Sequence, residues 1–159
     1  LYIVEPRDNL DTTNVQIHNH LYDSQLLVLH GWIVNTVYKV DYDKQDYNAY
    51  HLTSALHPEN KEKKIKLEFL RKIGLKIVSK TELKLGESHF QKHTEIHNVQ
   101  NDPKKLTAFM VFEFPTVKKH STLFSKKDLG ETIPTPNAYL RYEKEELRKL
   151  VQNLLDVME

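Results

Sequence analysis

The chain has 159 residues, 39% of them hydrophobic and 28% charged, with a net charge of +1 when its histidines are neutral. That suits a single soluble domain spanning 1–159, and the even charge balance argues against a duplex-DNA partner. The chain has no cysteine, which excludes disulfides, thiolate metal sites and cysteine nucleophiles; no apolar run approaches the roughly 20 residues of a membrane span, and without a signal-peptide pattern or N-glycosylation sequon a cytoplasmic setting is expected.

The stretch 1–23 carries turn residues at Asn9, Asp11, Thr12, Thr13 and Asn14. From Gln25 to Val40 the β-branched and aromatic content predicts two strands, or one bent at Gly31. Asp41 to Asp46 reads as a turn, and Tyr47 to Leu56 as a strand with Tyr47, Ala49, His51, Thr53 and Ala55 on one face. Ile65, Phe69 and Ile73 recur every four residues and predict a helix from Glu59 to Ile73, stopped by Gly74.

Leu75 to Leu85 alternates as a half-buried strand, and a further strand is expected over Ser88 to Asn98. After the Asn101-Asp102-Pro103 turn, Leu106 to Phe114 and Val117 to Phe124 read as strands, and Asp128 to Asn137 as a loop. Glu143 to Val157 is an amphipathic helix, with Leu147, Leu150, Val151, Leu154 and Leu155 on one stripe. The sum is an α+β domain of mostly antiparallel sheet with two main helices. The lysine clusters around 61–66, 118–119 and 126–127 read as solvated surface.

Two strings carry the clearest chemical pattern, His51-Leu52-Thr53 and His120-Ser121-Thr122. In an extended strand residues i and i+2 share a face, so each string sets an imidazole beside a hydroxyl. Two such pairs facing each other would surround a phosphoryl group with a base, an acid and two neutral hydrogen-bond donors. Such a site demands that the two imidazoles lie roughly 5–8 Å apart.

In these strings the chain resembles the 2H phosphoesterases, which carry two His-x-Thr/Ser motifs, one from each half of a bilobal sheet. The length and motif spacing are most similar to the compact viral and phage members that destroy oligonucleotide second messengers of immune defence. The resemblance implies a metal-independent phosphodiesterase acting on a small RNA-like substrate: a 2′,5′-linked or cyclic oligonucleotide, or a 2′,3′-cyclic phosphate. It implies His51 as base, His120 as acid, and Thr53 and Thr122 on the non-bridging oxygens, with no cofactor. Tyr47, Tyr50, Lys118 and Lys119 are the flanking residues placed to touch phosphate or base. The pattern departs at Ser54, which stands where an apolar residue is usual, and at Ser121.

Other histidines are read as surface residues, with no metal expected. They are His18-Asn19-His20 with His30 nearby, and His89, His93 and His97, which would line one face if that segment were helical. Glu82-Leu83-Lys84 matches the carboxylate–lysine end of many metal nucleases, a common triplet in so charged a chain. Four glycines and no Gly-rich phosphate loop argue against nucleotide cradles of that kind. The competing readings are a non-enzymatic β-barrel module, pleckstrin-like or oligonucleotide-binding-like, and a subunit that docks its terminal helix on a partner.

Overall fold

The computed structural model describes residues 2–4, 16–52, 64–102, 104–134 and 144–158. In chain order the elements are β1 (Tyr2–Val4), β2 (Ile17–His18), β3 (Ser24–His30), β4 (Trp32–Asp41), β5 (Tyr47–Leu52), β6 (Lys64–Lys84), β7 (Ser88–Gln91), β8 (Ile96–Asn101), β9 (Thr107–Glu113), β10 (Ser121–Ser125), β11 (Thr132–Pro134) and α1 (Lys144–Met158). The architecture is an all-antiparallel pair of sheets with one helix among the described residues. No helix among them is long and apolar enough to cross a membrane.

The smaller sheet runs β1-β9-β3-β7. The larger runs β11-β6-β4-β8-β2-β10-β5, and β5 pairs back onto β6. Six strands of the larger sheet therefore form a closed cycle of pairings, which leaves fewer unpaired edges. One apolar cluster draws on every strand of that cycle, through Ile17, Tyr38, Ala49, Ile73, Ile96 and Phe124.

A second cluster joins the two sheets. Leu26 and Val28 of β3 and Phe109 of β9 meet Ile33 of β4, Leu83 of β6 and Val99 of β8. Val28 and Ile33 are fully buried, each contributing about 1.5–3 kcal/mol by removal from water. Gly31 lets β3 turn directly into β4. Its φ is +72°, and a Cβ there would lie 2.8 Å from the Leu106 carbonyl oxygen.

Three expectations need correction. The predicted helix from Glu59 to Ile73 is strand wherever it is described, because Lys64 to Ile73 opens the 21-residue strand β6. A four-residue period is even, so it serves a strand as well as a helix. Leu67 is buried between the exposed Lys66 and Glu68, and Leu67 to Ile73 pairs with β5. Gly74 is not a helix stop: a Cβ there would meet the Asp41 carbonyl and Lys44, so glycine allows the β4–β5 connection to cross close by. Ser88 to Asn98 is two strands, β7 and the start of β8, separated by a turn. The expected loop from Asp128 also carries β11, paired with Lys64–Lys66.

Candidate metal centre

The register of β2 against β8 sets His18 directly opposite His97. Cross-strand partners share a face, and so do residues two apart along one extended segment. His18, His97 and His20 are thereby gathered on one side of the large sheet. It is the side that looks toward the small sheet, because Val37, Asn35 and Ile33 on β4 lie opposite His97, Val99 and Asn101 on β8, and Ile33 and Val99 are in the inter-sheet cluster.

The three rings touch. Centroids are 4.7 Å apart for His18–His20, 4.8 Å for His18–His97 and 5.1 Å for His20–His97. One ring nitrogen from each lies within 4.8 Å of the other two. Hydrogen bonds set how two of them point. His18 Nδ1 is 3.0 Å from the Gln16 carbonyl oxygen, and His97 Nδ1 is 2.8 Å from Asn35 Oδ1. A carbonyl oxygen only accepts, so both Nδ1 atoms carry the proton and both Nε2 atoms keep a lone pair. His20 Nε2 lies 3.0 Å from His97 Nε2 and donates to it.

Burial keeps this cluster uncharged. His97 is 3% exposed. Its pKa is pushed down to about 2, first by burial and then by electrostatic competition with the neighbouring histidines His18, His20 and His89. His20 is lowered to about 4 by burial, with smaller contributions from His18 and Lys118. His18 is also lowered, again by burial. Neutral imidazoles with Nε2 lone pairs are what a transition metal binds, and a held Nδ1–H is the usual outer support of such a ligand.

One of the three spacings already matches. With metal–nitrogen bonds of about 2.0–2.1 Å, neighbouring donors in a tetrahedron or octahedron sit about 2.9–3.4 Å apart. The 3.0 Å separation of His20 and His97 Nε2 falls in that range. Ligation would require His20 to carry its proton on Nδ1 instead. The expectation that these are surface histidines is thus corrected for His97 and for the cluster it forms. His30 ends β3 opposite Ala108 and is not in the cluster. His93 is held by Asp23, whose Oδ1 lies 2.7 Å from both its Nδ1 and its backbone nitrogen. The Glu82–Lys84 pair is an exposed surface ion pair at 3.4 Å.

The bend before β3 adds one aromatic neighbour. Tyr22 lies 5.6 Å from His20, ring to ring, and its hydroxyl donates to Glu113 at 2.6 Å. Glu113 is opposite Ser24, and Ser24 is opposite Gln91.

His51 and His120 come together elsewhere. Their rings are stacked with centroids 5.1 Å apart and planes 17° from parallel. The cause is register: β10 runs beside β5 with Thr122 opposite His51, so Thr122 and the histidine two residues before it share His51's face. Both strings therefore occupy neighbouring strands of one sheet, not separate halves. Thr53 lies outside the described residues. Thr122 is tied down through its backbone N–H, which donates to Asn19 Oδ1 at 2.8 Å. Lys118 Nζ donates to the same oxygen at 2.8 Å, and its burial lowers its pKa. Lys119 is exposed.

The two tyrosines divide. Tyr47 shares His51's face but is packed into the apolar cluster, with Lys126 Nζ 5.3 Å above its ring. Tyr50 points the other way and is 1% exposed. Its hydroxyl donates to Asp128 at 3.0 Å and accepts from the Leu129 backbone N–H at 3.1 Å. It braces the Asp128 turn and cannot touch a substrate at His51. Asn19 joins the two histidine groups, since it sits between His18 and His20 in the chain while its side chain serves Thr122 and Lys118.

The chain matches no protein-family model, no curated protein and no solved structure.

Proposed function

We propose that this protein is a mononuclear metalloprotein that binds one divalent transition metal through His18, His20 and His97 and works as a metal-dependent enzyme on a small molecule. The observation that carries this reading is the convergence of three neutral imidazoles, two of them with Nδ1–H already committed to oxygen acceptors. An all-nitrogen set suits zinc, iron(II) and their neighbours, and disfavours magnesium and calcium, which take oxygen ligands. Three protein ligands leave coordination positions open, which is the arrangement of catalytic centres as opposed to closed structural ones. The metal supplies Lewis acidity toward whatever occupies those positions. The chain supplies orientation: Gln16 and Asn35 fix two rings, and the inter-sheet apolar cluster limits water on one side. The test is metal titration of chelator-treated protein. One equivalent should bind per chain, and His97→Ala should abolish that binding.

The stacking of His51 and His120 favours a second reading, a metal-independent phosphodiesterase of the 2H kind acting on a small nucleotide or oligonucleotide. Here His51 is the base, His120 the acid, Thr122 a hydrogen-bond donor to the phosphoryl group, and Lys118 and Lys119 the flanking cations. In that reading it is a cytoplasmic enzyme, in the host cell if the chain is viral. Turnover of 2′,5′-linked or cyclic oligonucleotides that survives EDTA and is lost in His51→Ala and His120→Ala would establish it. Turnover lost on chelation would transfer the chemistry to the metal centre.

A further inference from the structure

A cleft of about 720 Å³ opens over β5 and β6, on the face that carries Tyr50 and is turned away from His51. Strand register builds its floor. Lys72 lies opposite Asn48 and Phe69 opposite Tyr50, and the shift between those pairs leaves Leu70 as the extra residue of a bulge. Cross-strand partners share a face, so the bulge brings Phe69 and Lys72 to one side although they stand three apart. Tyr50 is buried at the base, with Phe69 edge-on to it at 5.7 Å, and Phe69 keeps 55% of its surface exposed. The second wall is the segment 128–132. It is pinned to β6 by the pairing of β11 and by the Leu67 N–H, which donates to the Glu131 carbonyl oxygen at 2.8 Å. Asp128 is fixed there, because its Oδ1 accepts from the Tyr50 hydroxyl at 3.0 Å and from the Gly130 N–H at 2.9 Å. The rim carries Lys66 and Lys72 beside Glu68, Asp128 and Glu131. A cleft of this size, with an aromatic wall and a few charged groups, has the make-up of a small-molecule site. A ligand that satisfies all of it presents a flat ring, N–H or O–H donors and an anionic group.

We propose that this cleft binds a nucleoside monophosphate, with its base on Phe69 and its phosphate at Lys72 and Asn48. The base stacks on the ring, a contact open to any base because each has a π-face. Its N–H edge meets the Glu131 carboxylate, which can accept two donors at once, as guanine offers them. The ribose hydroxyls donate to Asp128, whose Oδ2 is left open by the bonds that fix Oδ1. Lys72 stands roughly 10 Å along β6 from Phe69, so base and phosphate each meet their partner without crowding. Lys72 takes the phosphate as a point charge and the Asn48 amide adds a neutral donor. The reverse orientation would set phosphate against Glu131, so charge decides the direction. The cleft is separate from both histidine groups. Tyr50 and His51 point to opposite faces of β5, and no lining residue belongs to the three-histidine cluster.

The test is calorimetric titration of the full chain with three probes: GMP, guanosine and inorganic phosphate. GMP should bind one to a chain, about tenfold or more tightly than guanosine or phosphate, each of which keeps only part of the contacts. Phe69→Ala should weaken GMP about tenfold, within the range for one base–aromatic stack. Lys72→Gln should weaken GMP about fivefold and leave guanosine unchanged, while Glu131→Gln should weaken both alike by about fivefold. All three side chains are exposed, so these variants keep the fold. No binding of GMP at about 1 mM overturns the proposal. So does phosphate that binds as tightly as GMP, which would reduce the cleft to an anion contact. GMP affinity that survives Phe69→Ala but is lost in His51→Ala also overturns it, by assigning the nucleotide to the His51–His120 pair.

Discussion

The His18–His20–His97 cluster and the His51–His120 pair are made of the same side chain and arise from the same strand geometry, yet they differ in what surrounds them. In the cluster one ring is 3% exposed, two Nδ1 atoms are bound to fixed oxygens, and all three rings are held below the usual histidine pKa. In the pair, His120 is exposed, and neither ring hydrogen-bonds to any described residue. Ring proximity is cheap at a surface, where water satisfies every nitrogen. Burying one imidazole and half-burying two beside it is costly unless their lone pairs have a purpose. The cluster therefore carries more functional weight, although the pair met the distance its sequence pattern demanded.

That contrast can be broken by mutation. The largest effect is expected at His97. His97→Ala removes a ligand and leaves Asn35 Oδ1 unpaired, so zinc binding should disappear in calorimetry and stability should fall by about 2–4 kcal/mol in urea denaturation. Acid should come next. Folded His20 and His97 titrate at about 4 and about 2, against 6.5 in a model peptide. As pH falls below 6.5 the unfolded chain takes up protons that the folded chain refuses. Stability is therefore complete above pH 6.5 and is lost on acidification, by about 3 kcal/mol from each of the two histidines down to pH 4 in metal-free protein. Denaturation midpoints across that range check this, and a flat profile would show that the cluster is not kept neutral.

Smaller effects sharpen the comparison. Asn35→Ala should weaken zinc about 10–100-fold while leaving a one-to-one stoichiometry, as expected for a residue that only orients a ligand. Tyr50→Phe should cost about 1–2 kcal/mol of stability by releasing Asp128 and the Leu129 N–H, with zinc affinity unchanged. His120→Ala should alter stability by no more than about 0.5 kcal/mol and should not touch zinc binding. A zinc defect in His120→Ala would mean that the two groups form one site through Asn19.

Much of the sheet was legible because β3 alternates and β-branched and aromatic residues fill β4 and β9, and α1 declares itself by its apolar stripe; of the apolar residues in the second half of β6 only Leu75 and Leu83 are buried, while Ile77, and Leu85 just beyond its end, are exposed. The start of β6 was not, because Ile65, Phe69 and Ile73 fit both periods and only pairing with β5 decides between them. A two-residue rule set each of His51 and His120 beside its own threonine, but their approach to each other comes from the register of β10 against β5. The same rule places His18 and His20 on one face. It could not supply the third histidine, since His97 joins them through the register of β2 against β8, a contact between distant parts of the chain. Read as helical, His89, His93 and His97 would line one face. As strand and turn they go to three different tasks: a contact with Glu95, the Asp23 contact and the cluster.

The most direct test of the central claim is X-ray absorption on chelator-treated protein reconstituted with one equivalent of zinc. The account predicts stoichiometric uptake and a nitrogen-only ligand shell at about 2.0–2.1 Å with the outer scattering of three imidazoles, reduced to background in the His18→Ala/His20→Ala/His97→Ala variant. Failure to bind zinc or any neighbouring divalent metal, or identical uptake by that variant, would contradict it.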